Sequence, residues 1–241
     1  MPLVEFRNVS YEVGGRQILS EVNFTVEAGE TLVLLGRSGS GKTTALKMTN
    51  GMLLPTSGQV LVEGRPTTEW DPIRLKRRIG YVIQEVGLFP HFTVAQNVGL
   101  VPTLEGWPAA DVEQRVERLL SDMGLPPAEY LRRYPRQLSG GQRQRVGVAR
   151  ALAADPSLLL FDEPFGALDP VTRVELQRQF LDLRRDLRKT SIFVTHDVRE
   201  ALRLGTRIGL LTRGRLEVAA DPQTFRNART EEALAFLGSL D

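Results

Sequence analysis

The residues best suited to chemistry begin with Gly36-Arg37-Ser38-Gly39-Ser40-Gly41-Lys42-Thr43, which fits G-x-x-x-x-G-K-[ST] and is followed by Thr44. Glycines at this spacing let successive backbone N–H groups turn inward and cradle phosphate oxygens. Lys42 then reaches the β- and γ-phosphates of a nucleoside triphosphate, and Thr43 offers its hydroxyl to Mg²⁺. A helix starting at this point adds its positive end to the hold on the anion. The plain alternative is a glycine-rich surface turn, but the match sits between an apolar run and a helical segment, where a phosphate loop belongs. A second group is Leu158-Leu159-Leu160-Phe161-Asp162-Glu163, an apolar run that delivers two adjacent carboxylates to the end of a strand. Successive strand residues point to opposite faces, so the two acids are expected to divide the work. Asp162 is the expected Mg²⁺ partner, through water, and Glu163 the group that orients or deprotonates an attacking water. Alone, the acidic pair would be a solvated turn; together with a phosphate loop it is the second half of a nucleotide site.

The elements that must position these groups are legible in outline. Thr31 to Leu35 is a short apolar strand, the glycine loop follows at once, and a helix runs from about Lys42 to Asn50, stopped by Gly51. Strand, glycine loop and helix form a nucleotide-binding order. Before them, the alternation at Val22, Phe24 and Val26 and the turn signals Gly14-Gly15 and Gly29-Glu30 predict a small antiparallel sheet. Val60 to Val62 and Ile79 to Ile83 read as further strands. From Gln84 to about Ala154 the pattern becomes helical, with Val112, Val116, Leu119, Leu120 and Met123 on one face. The sheet resumes with Leu158 to Phe161, a helix whose core face is Leu176, Phe180, Leu183 and Leu187, and the strand Ser191 to Thr195. Arg207 to Leu211 and Leu216 to Ala219 close it, and Asp221-Pro222 and Thr230-Glu231-Glu232 start terminal helices. Strands alternating with helices predict a mainly parallel sheet in an α/β fold. We expect one domain over 1–241, made of a core (1–83 and 155–241) that includes the antiparallel β subdomain, and a helical subdomain (84–154).

Composition narrows the function classes. With 241 residues and 41% hydrophobic content, the chain can fill one α/β core. Its 31 basic residues face 29 acidic ones, a net charge of +2, so charge provides no nucleic-acid footprint. The absence of cysteine excludes disulfides and thiolate metal sites. No apolar run approaches the roughly 20 residues of a membrane helix. Met1-Pro2-Leu3-Val4-Glu5 also lacks the basic start and apolar stretch of a signal peptide. A soluble chain is therefore expected, tied to a membrane only through a partner.

Leu138-Ser139-Gly140-Gly141-Gln142 is identical to the signature motif of ABC ATPases and lies between the phosphate loop and the acidic strand, in that family's order. The chain resembles this family over nearly its whole length. The resemblance implies a P-loop NTPase core with a mixed, mainly parallel sheet, an N-terminal antiparallel β subdomain and an inserted helical subdomain. It implies that Ser139 donates to the γ-phosphate of ATP, while Gly140 and Gly141 let backbone N–H groups approach it and Gln142 completes the motif. In this family the phosphate loop and signature of one chain lie too far apart to share a nucleotide, so a two-fold homodimer with two sandwiched ATP molecules is implied. Tyr11 resembles the aromatic residue that stacks on adenine, although by itself it would be a half-buried strand tyrosine. Gln84 resembles the glutamine that senses γ-phosphate and Mg²⁺ and ties the helical subdomain to the site. Ala167-Leu168-Asp169 resembles the loop linking the two active sites, preceded by Gly166 where many relatives carry serine. His196 resembles the histidine that contacts γ-phosphate and holds the attacking water. His91 is assigned to surface or packing. Because Lys42, Gln84, Asp162, Glu163 and His196 are all present, an active ATPase is expected.

A non-transport ABC ATPase would carry a long inserted coiled coil or two cassettes, and this chain has neither. A single cassette without membrane helices implies a transporter whose permease subunits are separate chains, most often a bacterial importer. The ATPase of such a system sits on the cytoplasmic face of the membrane, and an external binding protein delivers solute. Tyr81-Val82-Ile83-Gln84, Val86-Gly87-Leu88-Phe89-Pro90-His91, Val101-Pro102 and Trp107 are similar to the ATPases of osmoprotectant importers. The implied solutes are glycine betaine, choline, carnitine or related quaternary amines, with a proline- or other amino-acid-type importer as the alternative. In the family this stretch forms the groove that grips a coupling helix of the membrane subunit. Many such relatives continue into paired CBS modules that sense ionic strength; here Asp241 follows soon after the last predicted helix, a departure from the pattern for ionic sensing.

Overall fold

A computed structural model describes residues 1–84, 86–166, 168–187 and 189–240, without the side chains of 183–187. In chain order the elements are β1 (Val4–Val13), β2 (Arg16–Val26), β3 (Thr31–Leu35), α1 (Lys42–Thr49), β4 (Ser57–Val62), β5 (Arg65–Pro66) and α2 (Pro72–Arg78). There follow β6 (Ile79–Val82), α3 (Val94–Leu104), α4 (Ala109–Asp122), α5 (Pro127–Tyr130), α6 (Gly140–Leu152), β7 (Leu158–Asp162) and α7 (Pro170–Leu187). The chain closes with β8 (Thr190–Thr195), α8 (Val198–Leu204), β9 (Arg207–Thr212), β10 (Arg215–Ala220), α9 (Pro222–Phe225) and α10 (Glu231–Leu237). Contacts divide it into two compact units, Met1–Lys76 with Lys189–Asp241, and Arg77–Arg188.

In the first unit β3 is paired in parallel on both sides, with β8 and with β9, and β10 adds to β9 in antiparallel sense. All five residues of β3 are buried, as its uninterrupted apolar run demands of a strand covered on both faces. The first antiparallel sheet has the order β2-β1-β4-β5. Its inner face centres on Phe6 and Phe24, whose rings stack at 4.2 Å. α1 buries Ala45, Leu46 and Met48 and stops at the C-cap Asn50, with Gly51 at φ +67° as the predicted glycine stop requires. α9 and α10 begin where the sequence places them, capped by Asp221 and Thr230.

In the second unit β6 and β7 run parallel, Ile79 opposite Leu158 and Val82 opposite Phe161. α4 buries Val116, Leu119 and Leu120, with Met123 at its C-cap, while Val112 is only half-buried. α7 buries Leu176 and Phe180, the latter edge-on to Phe161 at 5.0 Å; Leu183 and Leu187 of the predicted face lie outside the described side chains. The predicted helical pattern after Gln84 takes hold only at Val94. From Val86 to Phe92 the chain is irregular and is fixed by the buried Asn97, which accepts from Phe89 N–H (2.8 Å). The Asn97 amide donates to the carbonyls of Phe89, Phe92 and Thr93 at 3.1, 3.2 and 3.0 Å.

Candidate nucleotide site

The loop after β3 is shaped by contacts that tolerate no larger residue. A Cβ on Gly36 would fall on the carbonyl oxygen of Leu211 and lie 2.6 Å from Ser40 Oγ. Gly41, the N-cap of α1, has φ +102°, and a Cβ there would lie 2.5 Å from Leu19 Cδ2. The buried Lys42 folds back over the loop, its Nζ donating to Gly36 O (2.8 Å) and Arg37 O (2.9 Å). Ser40 Oγ is buried and has no hydrogen-bond partner among the described residues, although its carbonyl accepts from Gly214 N–H at 3.1 Å. A backbone cradle, an ammonium held at its rim and an orphaned hydroxyl fit a phosphate chain. Arg37 reaches outward and pairs with Glu232 of α10 at 2.6 Å.

Two further predicted residues lie in the same unit. His196 is exposed directly after β8. The turn that presents it is pinned by Thr195, whose hydroxyl donates to the buried Glu200 (2.6 Å) and accepts from Asp197 N–H (3.0 Å). Asp197 in turn caps α8. Tyr11 is half-buried in β1 opposite Leu19, the side chain that closes on Gly41.

The second unit carries the carboxylates. Asp162 ends β7 and is buried, and Tyr81 of β6 donates its hydroxyl to Asp162 Oδ2 at 3.2 Å. Burial first, and then the Asp162 charge, push the Tyr81 pKa far up, so the phenol is a committed donor. Glu163 does not continue the strand. Its φ is +45°, a left-handed conformation, and Gly166 N–H closes a turn onto its carbonyl at 3.1 Å. Its direction is therefore set by a turn and not by the strand alternation the sequence suggested. A Cβ on Gly166 would stand 3.9 Å from both Gln84 Nε2 and Glu163 Oε2, which places those two groups around one glycine. Asp169 caps α7, accepting from Val171 N–H (3.2 Å) and Thr172 N–H (3.0 Å); Ala167 lies outside the described residues. The Thr172 N–H first of all holds the Asp169 carboxyl below its ordinary range.

Ser139 starts α6 in a capping box: its Oγ accepts from Gln142 N–H (3.2 Å) and Gln142 Oε1 accepts from Ser139 N–H (2.9 Å). The two glycines between them differ in task. Gly140 is open apart from the far end of Arg143, whereas a Cβ on Gly141 would lie 2.5 Å from Thr172 Cγ2. Gly141 admits α7, and Gly140 leaves the N-terminus of α6 approachable.

Residues 19–166 match the family described as ABC transporter. This chain belongs to the ABC transporter family. It is 50% identical over 204 residues to the osmoprotectant import ATP-binding protein OsmV of Salmonella typhimurium, covering 85% of this chain and 53% of that protein. Against the glycine betaine/carnitine/choline transport ATP-binding protein OpuCA of Bacillus subtilis it is 47% identical over 226 residues, 93% of this chain and 59% of that one. Against the glycine betaine uptake system ATP-binding protein YehX of Escherichia coli it is 46% identical over 222 residues, 92% and 72% of the two chains. The chain thus spans about half to three fifths of the first two relatives. The dimeric bacterial ABC transporter cassette MJ0796 superposes with a TM-score of 0.81 at 33% identity, covering 91% of this chain and 98% of that one. The same cassette is also solved as a post-hydrolysis dimer bound to ADP and Pi.

In this ABC-family chain the sequence-predicted residues fall into two sets. Tyr11, the loop from Gly36 to Thr44 and His196 belong to the first unit; Gln84, Ser139 to Gln142, Asp162, Glu163 and Asp169 belong to the second. Sequence reasoning missed Tyr81 and Glu200. A tyrosine hydroxyl in an apolar strand and an acid one helical turn after an Asp cap were the available signals, but neither names its partner without the register.

Proposed function

We propose that this chain is the ATP-hydrolysing subunit of an ABC importer for quaternary-amine osmoprotectants of the glycine betaine and choline type. The observation that carries this proposal is 46–50% identity to import ATP-binding proteins named for osmoprotectants, glycine betaine, carnitine and choline. The cradle at Gly36 to Lys42, with its orphaned Ser40 hydroxyl, supports triphosphate binding. The proposed Mg²⁺ donors are Thr43, Asp162 and Gln84, a hard oxygen set. Mg²⁺ bound with ATP supplies charge neutralisation at the phosphates.

Each residue then has a defined task. Lys42 and the loop N–H groups, Gly36 through Thr44, bind phosphate oxygens, and Tyr11 stacks on the base. Glu163 accepts the proton of the attacking water while His196 and Gln84 orient it. Ser139, Gly140, Gly141 and Gln142 of one copy face the nucleotide of a second copy, and Asp169 joins the two sites. Closure of that homodimer around ATP drives the separate permease subunits from the cytoplasmic face of the membrane, with an extracytoplasmic binding protein delivering solute. An apolar groove of about 650 Å³, lined by Phe92, Gln96, Leu100, Trp107, Val112 and Leu131, is the proposed seat of a permease helix.

A second reading is another small-solute importer. It is supported by 42% identity over 241 residues to the spermidine/putrescine import ATP-binding protein PotA of Nitrosospira multiformis, 65% of that protein. The deciding experiment is uptake of labelled glycine betaine, choline and spermidine in cells relying on this chain, native or Glu163→Gln. Quaternary-amine uptake that collapses in the variant, with turnover down roughly 10²–10⁴-fold and ATP binding kept, supports the proposal. Uptake of spermidine alone, or amine uptake indifferent to the substitution, rejects it.

A further inference from the structure

Several observations converge on the chain just after Gln84, all within the second unit. Val86 has φ +55°, a left-handed conformation that is a genuine outlier for a β-branched residue and persists only where its surroundings enforce it. Its N–H closes a turn onto Ile83 O at 3.0 Å, and Gln84 sits inside that turn. Its side chain enters a notch that glycine alone leaves open, since a Cβ on Gly147 of α6 would lie 2.6 Å from Val86 Cγ1. Arg150, one turn further along α6, donates Nη2 to Val86 O and Nη1 to Gly87 O, both at 2.7 Å. Such a fork fixes two successive carbonyls at once, which a lysine cannot reproduce.

The helix that makes this grip is the one that starts at Ser139 and Gly140. Gly147 and Arg150 lie seven and ten residues beyond Gly140 on the same 13-residue helix, roughly 10 and 15 Å along its axis. An ordinary helix-to-loop contact needs neither a strained valine nor a glycine in mid-helix. Glycine there weakens the helix relative to alanine, and what it gains is room for Val86.

We propose that Gly147 and Arg150 are positioning residues for Gln84. They hold Val86 left-handed, so they fix the turn that presents the Gln84 amide and make that turn move with the signature helix. Engagement of Ser139 and Gly140 with a phosphate and placement of Gln84 are then one mechanical event. The inference rests on the role proposed above for Gln84.

The test is a double-variant cycle of Gly147→Ala and Val86→Gly, with Arg150→Lys alongside and Gln84→Ala as reference. Alanine at 147 collides with Val86 only while Val86 is present, and glycine at 86 adopts φ +55° without strain. Hydrogen exchange over residues 83–92, melting temperature, ATP affinity and the Mg²⁺ dependence of hydrolysis are measured. Gly147→Ala is expected to speed exchange over 83–92 about tenfold, to raise the half-saturating Mg²⁺ concentration about tenfold and to leave ATP affinity unchanged. Adding Val86→Gly should return the double variant to the level of Val86→Gly alone, and Arg150→Lys should reproduce the faster exchange. A purely helical role for position 147 predicts the opposite, a higher melting temperature and unchanged exchange, because alanine is the better helix former. That result, or effects of Gly147→Ala and Val86→Gly that simply multiply, overturns the proposal. Exchange reads the clamp independently of hydrolysis, so native-rate turnover by Gln84→Ala would remove the role of Gln84 and leave the clamp standing.

Discussion

Leu35 and Thr195 are partners at the last register position of a parallel strand pair, so Gly36 and His196, the next residue of each chain, leave the sheet together at its carboxyl edge. Open α/β sheets place ligands at that edge. What fixes the exit of His196 is the Thr195 hydroxyl, bonded to Glu200 and to Asp197 N–H. Thr195→Val keeps the shape of the side chain and deletes both bonds. It is expected to lower stability by about 1–3 kcal/mol in urea unfolding and to reduce kcat with little change in ATP affinity. Native stability in the variant would show that this hydroxyl does not hold the turn.

Tyr81 stands behind Asp162 as Thr195 stands behind His196. Its raised pKa keeps it a donor at any working pH, so one oxygen of Asp162 is committed to it and the carboxylate plane is fixed. Tyr81→Phe should raise the Mg²⁺ concentration needed for hydrolysis about 10- to 100-fold while ATP binding without metal stays as it is. An unchanged Mg²⁺ titration would separate Tyr81 from the metal role proposed for Asp162.

Two glycines, one in each unit, predict opposite outcomes. Gly36→Ala drives a methyl into the Leu211 carbonyl and against Ser40 Oγ, groups that cannot give way without moving the loop. Overpacking of this kind costs about 1–3 kcal/mol and should abolish binding of a fluorescent ATP analogue. Gly166→Ser meets nothing nearer than Glu163 O at 3.5 Å, so its Cβ is in ordinary contact. That variant should bind the analogue and melt as the native chain does.

The parts of this fold legible in sequence are those where composition and local chemistry agree. β3 is legible because Thr31 and four apolar residues abut a glycine loop, and α9 and α10 because Asp221 and Thr230 announce their caps. α2 carries the same kind of signal in Asp71-Pro72, yet it buries only Leu75, so periodicity could not reveal it. Register is a tertiary property. That Tyr81 meets Asp162 follows from how β6 aligns with β7, which neither strand encodes alone. The left-handed Glu163 and Val86 are illegible because neither residue type favours that conformation: Glu163 adopts it in the turn closed by Gly166 N–H, and Val86 adopts it against Gly147 and Arg150, some sixty residues along the chain.

The helix caps give the chain a definite acid response. Asp221 accepts from Thr224 Oγ1 at 2.5 Å and from the N–H groups of Thr224 (3.0 Å) and Gln223 (2.9 Å), and the Thr224 hydroxyl first of all holds its carboxyl below the ordinary 3.8. Asp169 is held below the same value by Thr172 N–H. A carboxyl with a depressed folded pKa binds fewer protons in the native state than in the unfolded one. Its contribution is therefore fully present above 3.8 and is lost as pH falls through the lower folded value. Asn can cap but cannot titrate, so Asp169→Asn and Asp221→Asn should each flatten the fall of melting temperature below about pH 4 while changing little near pH 7. Melting curves for the native chain and both variants across that range provide the check. Parallel acid profiles would mean that these caps do not set the acid limb, leaving it to carboxylates elsewhere in the chain.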